Sequence, residues 1–294
     1  MSSEPTPALS NCPPMLPPGM LPLSDWSVEA RRGLVGVFTD IDDTLTTHGS
    51  ITPDALQALA ALRNAGLHVI AITGRPIGWC ERFVNATPAS DNWPVDAVVA
   101  ENGAVAWVPE PSRQGSATAF HKVYQQEAPL RARNRARMRA VAARILREVP
   151  GAQITRDSVG RETDLAIDHA EFARLTPAQI AQVLAIMQQE GMHTTTSSIH
   201  THGCFGLFNK WRGACWITQL LLGSSLPDDL ERWVFVGDSG NDVAMFEHFR
   251  HSVGVANIRH VADQLSHRPR YITPSERGAG FAEVAASILA ARTA

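Results

Sequence analysis

The stretch Leu-Val-Gly-Val-Phe-Thr-Asp-Ile-Asp-Asp-Thr-Leu-Thr, residues 34–46, constrains the fold more than any other part of the chain. Its apolar half reads as a buried strand, and its second half places Asp40, Asp42 and Asp43 within four positions. Alternate side chains of an extended chain share a face, so Asp40 and Asp42 are expected roughly 6–7 Å apart on the same side. Carboxylates that close destabilise a fold unless a cation or a set of hydrogen-bond donors offsets them. This strand therefore needs a sheet around it and a positive partner at its carboxyl end.

The surrounding pattern supplies the sheet. A strand over 33–40 is followed by a helix that Thr52-Pro53 opens as N-cap and first helical residue and Gly66 closes. Further short apolar strands are expected over 67–73 and 95–100. Alternating strands and helices predict a parallel sheet covered on both faces. After Val108 the residues Pro109, Pro111, Ser112 and Gly115 break the pattern. An arginine-rich helix over 125–148, a strand near 163–168 and a helix from Thr176-Pro177 to Glu190 then read as a separate small α/β unit. The first pattern resumes near Gly203, with a helix over 213–222, a strand over 233–236 and a helix after Asn241. The expected fold is α/β, a Rossmann-like doubly wound parallel sheet over 31–108 and 202–294 with an α/β insertion over 109–201. Residues 1–30, with Pro13-Pro14 and Pro17-Pro18, read as a flexible proline-rich tail.

Composition narrows the function classes. The 294 residues carry a net charge of −3, with 44% hydrophobic and 19% charged residues, a balance that argues against a general nucleic-acid binder. No apolar run approaches the ~20 residues of a membrane span, and the first residues lack a secretory pattern. A cytoplasmic monomer or small homo-oligomer is expected, without nucleic-acid or membrane partners. Cys12, Cys80, Cys204 and Cys215 form no CxxC pair and read as free thiols.

A second strand, ending in Val-Gly-Asp-Ser-Gly-Asn-Asp over 236–242, places Asp238 and Asp242 where they could meet the first carboxylates. Ligands of parallel α/β sheets bind outside the carboxyl ends of strands, and four carboxylates in one crevice suit a hard cation such as Mg2+. Thr73 and Gly74 end another strand and offer a hydroxyl and a close backbone approach; Lys210 offers a point charge. Together these groups describe phosphoryl transfer through an aspartyl-phosphate.

In order and spacing, the four segments resemble the motifs of the haloacid dehalogenase-like phosphatase superfamily. The insertion stands where the subfamily with a C2-type cap carries that domain, and Glu101-Asn102-Gly103-Ala104 resembles its Cof-like and sucrose-phosphatase-like branch. The resemblance implies that Asp40 is the nucleophile and Asp42 the general acid and base. It further implies that Asp40, the backbone carbonyl of Asp42 and Asp238 serve the metal, that Asp242 binds it directly or through water or else positions Lys210, and that Thr73, Gly74 and Lys210 hold the phosphoryl group. Asn241 and Ser239 would orient metal-bound waters. Glycine is commoner in the family where this chain has Asp43, which reads as a turn residue facing solvent; Thr44 is expected to hydrogen-bond within that loop.

Other features allow blander readings. Arg131, Arg133, Arg135, Arg137 and Arg139 at two-residue spacing wrap a helix without forming a single stripe, which describes a solvated helix. Arg161, Glu162 and Asp164 resemble the region where relatives read the leaving group, and equally suit a surface salt bridge. Ser198 and His200 suit a hinge or substrate contact, and Asn102 a substrate contact. Arg75 suits substrate or a neighbouring carboxylate, while Trp79, Trp211, Trp216 and Trp233 suit packing. The expected activity is Mg2+-dependent hydrolysis of a small phosphorylated metabolite, a sugar phosphate or glycosyl phosphate. The alternatives are a phosphomannomutase-like phosphosugar mutase or a non-catalytic binding module.

Overall fold

The computed structural model describes residues 17–110, 119–197 and 199–293. The first part of the core contains β1 (Leu21–Pro22), α1 (Val28–Arg32), β2 (Gly36–Thr39), the hairpin β3 (Thr46–Thr47) and β4 (Ser50–Ile51), α2 (Pro53–Asn64) and β5 (His68–Ile72). It continues through α3 (Ile77–Cys80), β6 (Ala97–Ala100), β7 (Val105–Pro109) and β8 (Phe120–Tyr124). The insertion holds α4 (Ala128–Glu148), β9 (Gln153–Ile154), β10 (Asp164–Asp168), α5 (Pro177–Gln189), β11 (His193–Thr196) and β12 (His200–Cys204). The chain returns to the core with α6 (Lys210–Leu222), β13 (Trp233–Gly237), α7 (Val243–His248), β14 (His251–Gly254), β15 (Tyr271–Ile272) and α8 (Arg277–Thr293).

The core sheet has the order β1-β15-β14-β13-β2-β5-β6-β7-β8, parallel as far as β6 and antiparallel at β7 and β8. Its central strands are buried on both sides, which is why they read as continuous apolar runs. Val37, Val69, Val98 and Val234 face α2 and α8 through Leu59, Leu62, Phe281 and Ile288. Phe38, Ile70, Val99 and Phe235 face α6 and α7 through Ile217, Met245 and Phe246. From β2 the chain moves outward to β5 and β6, and later returns on the other side of β2 as β13. The sheet therefore changes winding direction between β2 and β13, where a crevice opens at the strand ends.

The insertion is an antiparallel sheet of order β11-β12-β10-β9. One face packs Leu165 and Ile167 against Met138, Val141, Ile145, Val183 and Ile186 of α4 and α5. Thr176 begins α5 with a reciprocal capping box to Gln179. Asp164, Ala166 and Asp168 alternate with Leu165 and Ile167 and so lie on the opposite face, with His200 and His202 paired beside them.

Two expectations change. Residues 20–30 are not a free tail: Met20, Leu23 and Trp26 are buried, and β1 pairs with β15 at the sheet edge, where proline is tolerated. Residues 1–16 of that tail, and the breaks at Pro111, Ser112 and Gly115, lie outside the described residues. The cap limits also shift, because β8 extends the core sheet while β12 is an inner strand of the inserted sheet. Among the described residues, no helix is long and apolar enough to cross a membrane.

Glycine fixes the seat of α6. Gly103 has φ +107°, and a Cβ there would stand 2.6 Å from the Asn209 carbonyl; a Cβ on Gly213 would stand 2.5 Å from the Gly103 Cα. Neither backbone can yield without moving Lys210, the first residue of the helix. Gly213→Ala is expected to cost about 1–3 kcal/mol, read as a lower urea midpoint.

Candidate active site

Four neighbouring strands, β13, β2, β5 and β6, end at the crevice. Asp40, Asp42, Thr73, Gly74, Arg75, Ser239 and Asn241 line it from the core, and Ser197, Ile199, His200 and His202 close it from the insertion. The enclosed space is about 30 Å³, room for water and not for a sugar. The core and the insertion thus meet across this crevice.

Asp40 follows β2 directly, and its backbone N–H donates to Val236 O at 2.9 Å. Lys210 is wholly buried; Nζ donates to Asp40 Oδ1 and Asp242 Oδ1, each at 2.6 Å. Asn209 caps α6, its side chain accepting from the Arg212 N–H at 2.8 Å, so Lys210 stands inside the helix rather than ahead of it. Asp242 Oδ2 accepts from the N–H groups of Asp238 and Ser239 at 2.9 and 3.0 Å. Both Asp242 oxygens are thus engaged, and its geometric role is to hold Lys210 and the loop after β13. Burial raises Asp40 to about 7 against the opposing pull of Lys210, with Asp242 adding to the rise. Burial, then Asp40 and Asp242, raises Asp238 well above the ordinary carboxylate range.

Carboxylate oxygens of Asp40, Asp238 and Asp242 all lie within 4.8 Å of one another. Lys210 offsets only part of this buried charge, and burial together with the neighbouring carboxylates keeps Asp40 and Asp238 shifted upward. An all-oxygen set with surplus negative charge fits a hard divalent cation. Asp238 is steadied by Asn257 Nδ2, which donates to Oδ2 at 2.9 Å and to the Asp43 carbonyl at 3.0 Å. Thr44 Oγ1 reaches Asp238 Oδ1 at 3.4 Å, a contact beyond its own loop. Asp43 adopts φ +54°, a conformation natural to glycine, and pairs with Arg277 at 3.0 Å instead of simply facing solvent.

Asp42 accepts from Arg75 at both oxygens, Nε at 2.9 Å and Nη2 at 3.0 Å. The same guanidinium reaches Asp157 at 3.2 Å and Glu171 at 3.4 Å in the insertion. Arg75 also lies 5.0 Å from the Trp79 ring, so that tryptophan supports a charged group as well as packing. A second bridge is Glu101, which accepts from the Ile77 N–H at 3.1 Å in the core and from the Glu162 N–H at 2.9 Å in the insertion. Burial lifts Glu101 to about 7, with Asp164 next in effect.

His200 pairs with Glu171 at 2.8 Å, and burial, then His202 and Arg75, pushes it down from 6.5 to about 3. The unfolded chain takes up this proton below its ordinary value, whereas the folded protein does so only near the depressed one. Stability contributed by neutral His200 is expected to fall as pH drops from 6.5 toward 3. The urea midpoint measured across this window should fall less steeply in His200→Gln than in the wild type.

The structure thus gathers Asp40, Asp42, Thr73, Gly74, Arg75, Ser239, Asn241 and His200 around one crevice, with Lys210, Asp238 and Asp242 directly beneath. Asn102 stays outside the lining, its Oδ1 accepting from Asn241 Nδ2 at 3.4 Å. Arg161, Glu162 and Asp164 do not line the crevice, although Arg161 Nη1 donates to the Gly74 carbonyl at 3.0 Å; Glu162 is held by Lys122 and Tyr124, and Asp164 by Arg161 and His202. Ser198 lies outside the described residues. Sequence reasoning missed Glu101 as a clamp, along with Asp157, Glu171, His202 and Asn257. Of these, Glu101 carried a readable signal, since it directly follows β6 as Asp40, Thr73 and Asp238 follow their strands.

Residues 37–126 match the family model described as haloacid dehalogenase-like hydrolase. The sucrose-phosphatase of Synechocystis, solved with sucrose and phosphate, is similar at a TM-score of 0.62 and 17% identity, over 87% of this chain and 98% of that one. A Thermoplasma acidophilum protein gives a TM-score of 0.61 at 16% identity, over 87% and 98% of the two chains. The C-terminal domain of Candida albicans trehalose-6-phosphate phosphatase gives 0.59 at 14% identity, over 90% and 96%. A search of curated protein sequences finds no match. Residues 37–126 thus match a haloacid dehalogenase-like hydrolase model, and the chain as a whole shares the fold of these solved structures.

Proposed function

We propose that this protein is a Mg2+-dependent phosphatase of a small phosphorylated metabolite, a phosphosugar, acting through an aspartyl-phosphate on Asp40. The single observation that carries this reading is the buried Lys210, held between Asp40 and Asp242 beside Asp238 at the floor of the crevice. The sucrose-phosphatase and trehalose-6-phosphate phosphatase likenesses support the phosphosugar class.

Asp40 and Asp238, with the Asp42 carbonyl, would hold Mg2+, which when bound supplies charge neutralisation to the transferring phosphoryl group. Thr73 and the Gly74 backbone, opposite Asp40 in the crevice, receive the phosphoryl oxygens. Lys210 keeps Asp40 oriented for in-line attack on phosphorus, and the bond to the leaving oxygen breaks as the Asp40 bond forms. Asp42 gives a proton to that oxygen, then takes one from the water that hydrolyses the intermediate. To do so it must be released from Arg75, whose other partners belong to the insertion; opening and closing of the cap therefore set when Asp42 is free. The free thiols Cys80, Cys204 and Cys215 support a reducing, cytoplasmic setting.

The experiment is phosphate release from a panel of phosphorylated sugars, glycosyl phosphates and nucleotides, with Mg2+ and with EDTA. Mg2+-dependent release from a sugar phosphate is expected. Conversion to an isomeric sugar phosphate without free phosphate, or release undiminished by EDTA, would overturn the reading.

A further inference from the structure

The inner face of the insertion carries an aspartate–histidine pair that takes no part in the chemistry at Asp40. Asp164 on β10 is buried, with one oxygen on Arg161 Nη1 at 2.7 Å and the other on His202 Nδ1 of β12 at 2.9 Å. Against its burial, Arg161 and then His202 hold this carboxyl below the usual carboxylate range. An ionised carboxylate only accepts hydrogen bonds, so His202 presents Nδ1–H to it. Burial holds the ring below its ordinary value and so keeps it neutral, which leaves Nε2 as a bare acceptor.

His202 lines the catalytic crevice on the side of the insertion, with Asp40 and Asp42 on the side of the core. The residue is 3% exposed, yet among the described residues Nε2 has no hydrogen-bond partner and is not sealed off. His202 also borders a pocket of about 10 Å³ with Asn102 and Cys204, room for one water at most. A larger partner therefore reaches it from the crevice. The cations nearby are committed: Arg161 to Asp164 and the Gly74 carbonyl, and Arg75 to Asp42, Asp157 and Glu171. The other lining residues that the insertion supplies, Ser197, Ile199 and His200, add no free positive charge.

We propose that His202 is a specificity-determining residue whose Nε2 accepts a hydrogen bond from a hydroxyl of a neutral, polyhydroxylated leaving group, with Asp164 and Arg161 as positioning residues. The assignment rests on the phosphatase reading and narrows it to monophosphates of neutral sugars or polyols. A second phosphate or a carboxylate offers only lone pairs to an unprotonated ring nitrogen and is repelled. A hydroxyl supplies the missing donor, and an analogue without it leaves a buried acceptor unpaired. Arg161, Asp164 and His202 all belong to the insertion, so the acceptor keeps its orientation whatever the separation between insertion and core.

Steady-state phosphate release with Mg2+ from glucose 6-phosphate, mannose 6-phosphate and glucose 1-phosphate tests this, with p-nitrophenyl phosphate as a hydroxyl-free reference. In the hexose phosphate released fastest, each free hydroxyl is replaced in turn by fluorine, which accepts weakly and cannot donate. One position is expected to cost the wild type at least about tenfold in kcat/KM. In Asp164→Asn, which keeps the side-chain shape, the amide oxygen stays on Arg161 and the NH2 turns to Nδ1, so the ring proton moves to Nε2. The hydroxyl-to-fluorine ratio at the sensitive position is then expected to fall at least about threefold, and in His202→Phe the discrimination should vanish. A merely structural defect would lower both compounds alike and leave the ratio. Wild-type release insensitive to fluorine at every position, or an unchanged ratio in the folded variants, would overturn the assignment to His202. Release from p-nitrophenyl phosphate alone would overturn it as well, while sparing the phosphatase reading. Release from none of the four compounds would remove the phosphatase reading and the role of His202 with it.

Discussion

Asp40→Asn is expected to lower phosphate release by more than about a thousandfold. The substitution keeps the side-chain size and removes the nucleophilic charge, so the loss falls on kcat. Folding should not suffer in parallel. Burial, with Asp242 adding to it, lifts Asp40 to about 7 despite Lys210, so its charge is a burden on the folded protein above that pH. The thermal midpoint in metal-free buffer at pH 8 should equal or exceed that of the wild type. Steady-state kinetics with circular-dichroism melting checks both parts, and a silent but unfolded variant would contradict the argument.

Lys210→Met is expected to lose stability and activity together, and this distinguishes it from Asp40→Asn. Lys210 is fully buried, and burial is outweighed by Asp242 and Asp40, which hold its ammonium above the usual lysine range. Removing one partner of a buried ionic cluster leaves the others uncompensated, at a cost of about 3–5 kcal/mol. Two carboxylates at the floor of the crevice would then face each other without their shared cation. Urea unfolding without divalent metal should show the deficit, and added Mg2+ should recover part of it in proportion to mass action. No change in the urea midpoint would show that Lys210 is not the electrostatic keystone of the site.

The strand ends were legible because an apolar run followed by a carboxylate has few stable explanations. Asp40, Thr73 and Asp238 each stand one position beyond the last residue of a buried parallel strand. Gly66 and Thr176-Pro177 marked helix limits through their own backbone chemistry, which needs no tertiary information. The long-range clamps were not legible. Glu101 meets the backbone of Glu162 and Thr163 across 61 and 62 positions, and a backbone N–H leaves no trace in residue identity. Arg75 could be read as meeting either substrate or a neighbouring carboxylate; that it joins Asp42 to Asp157 and Glu171 depends on how the insertion docks. Pro17, Pro18 and Pro22 suggested a tail, and burial of Trp26 against Tyr271 at 5.7 Å overrode that local signal.

The measurement that tests the central claim most directly is acid quenching of the wild type during turnover of a 32P-labelled sugar phosphate with Mg2+, followed by peptide mapping. An acid-stable, hydroxylamine-labile label on the peptide containing Asp40, absent from Asp40→Asn, is the predicted result. Turnover at full rate with no label on that peptide, or with the label on another residue, would contradict it.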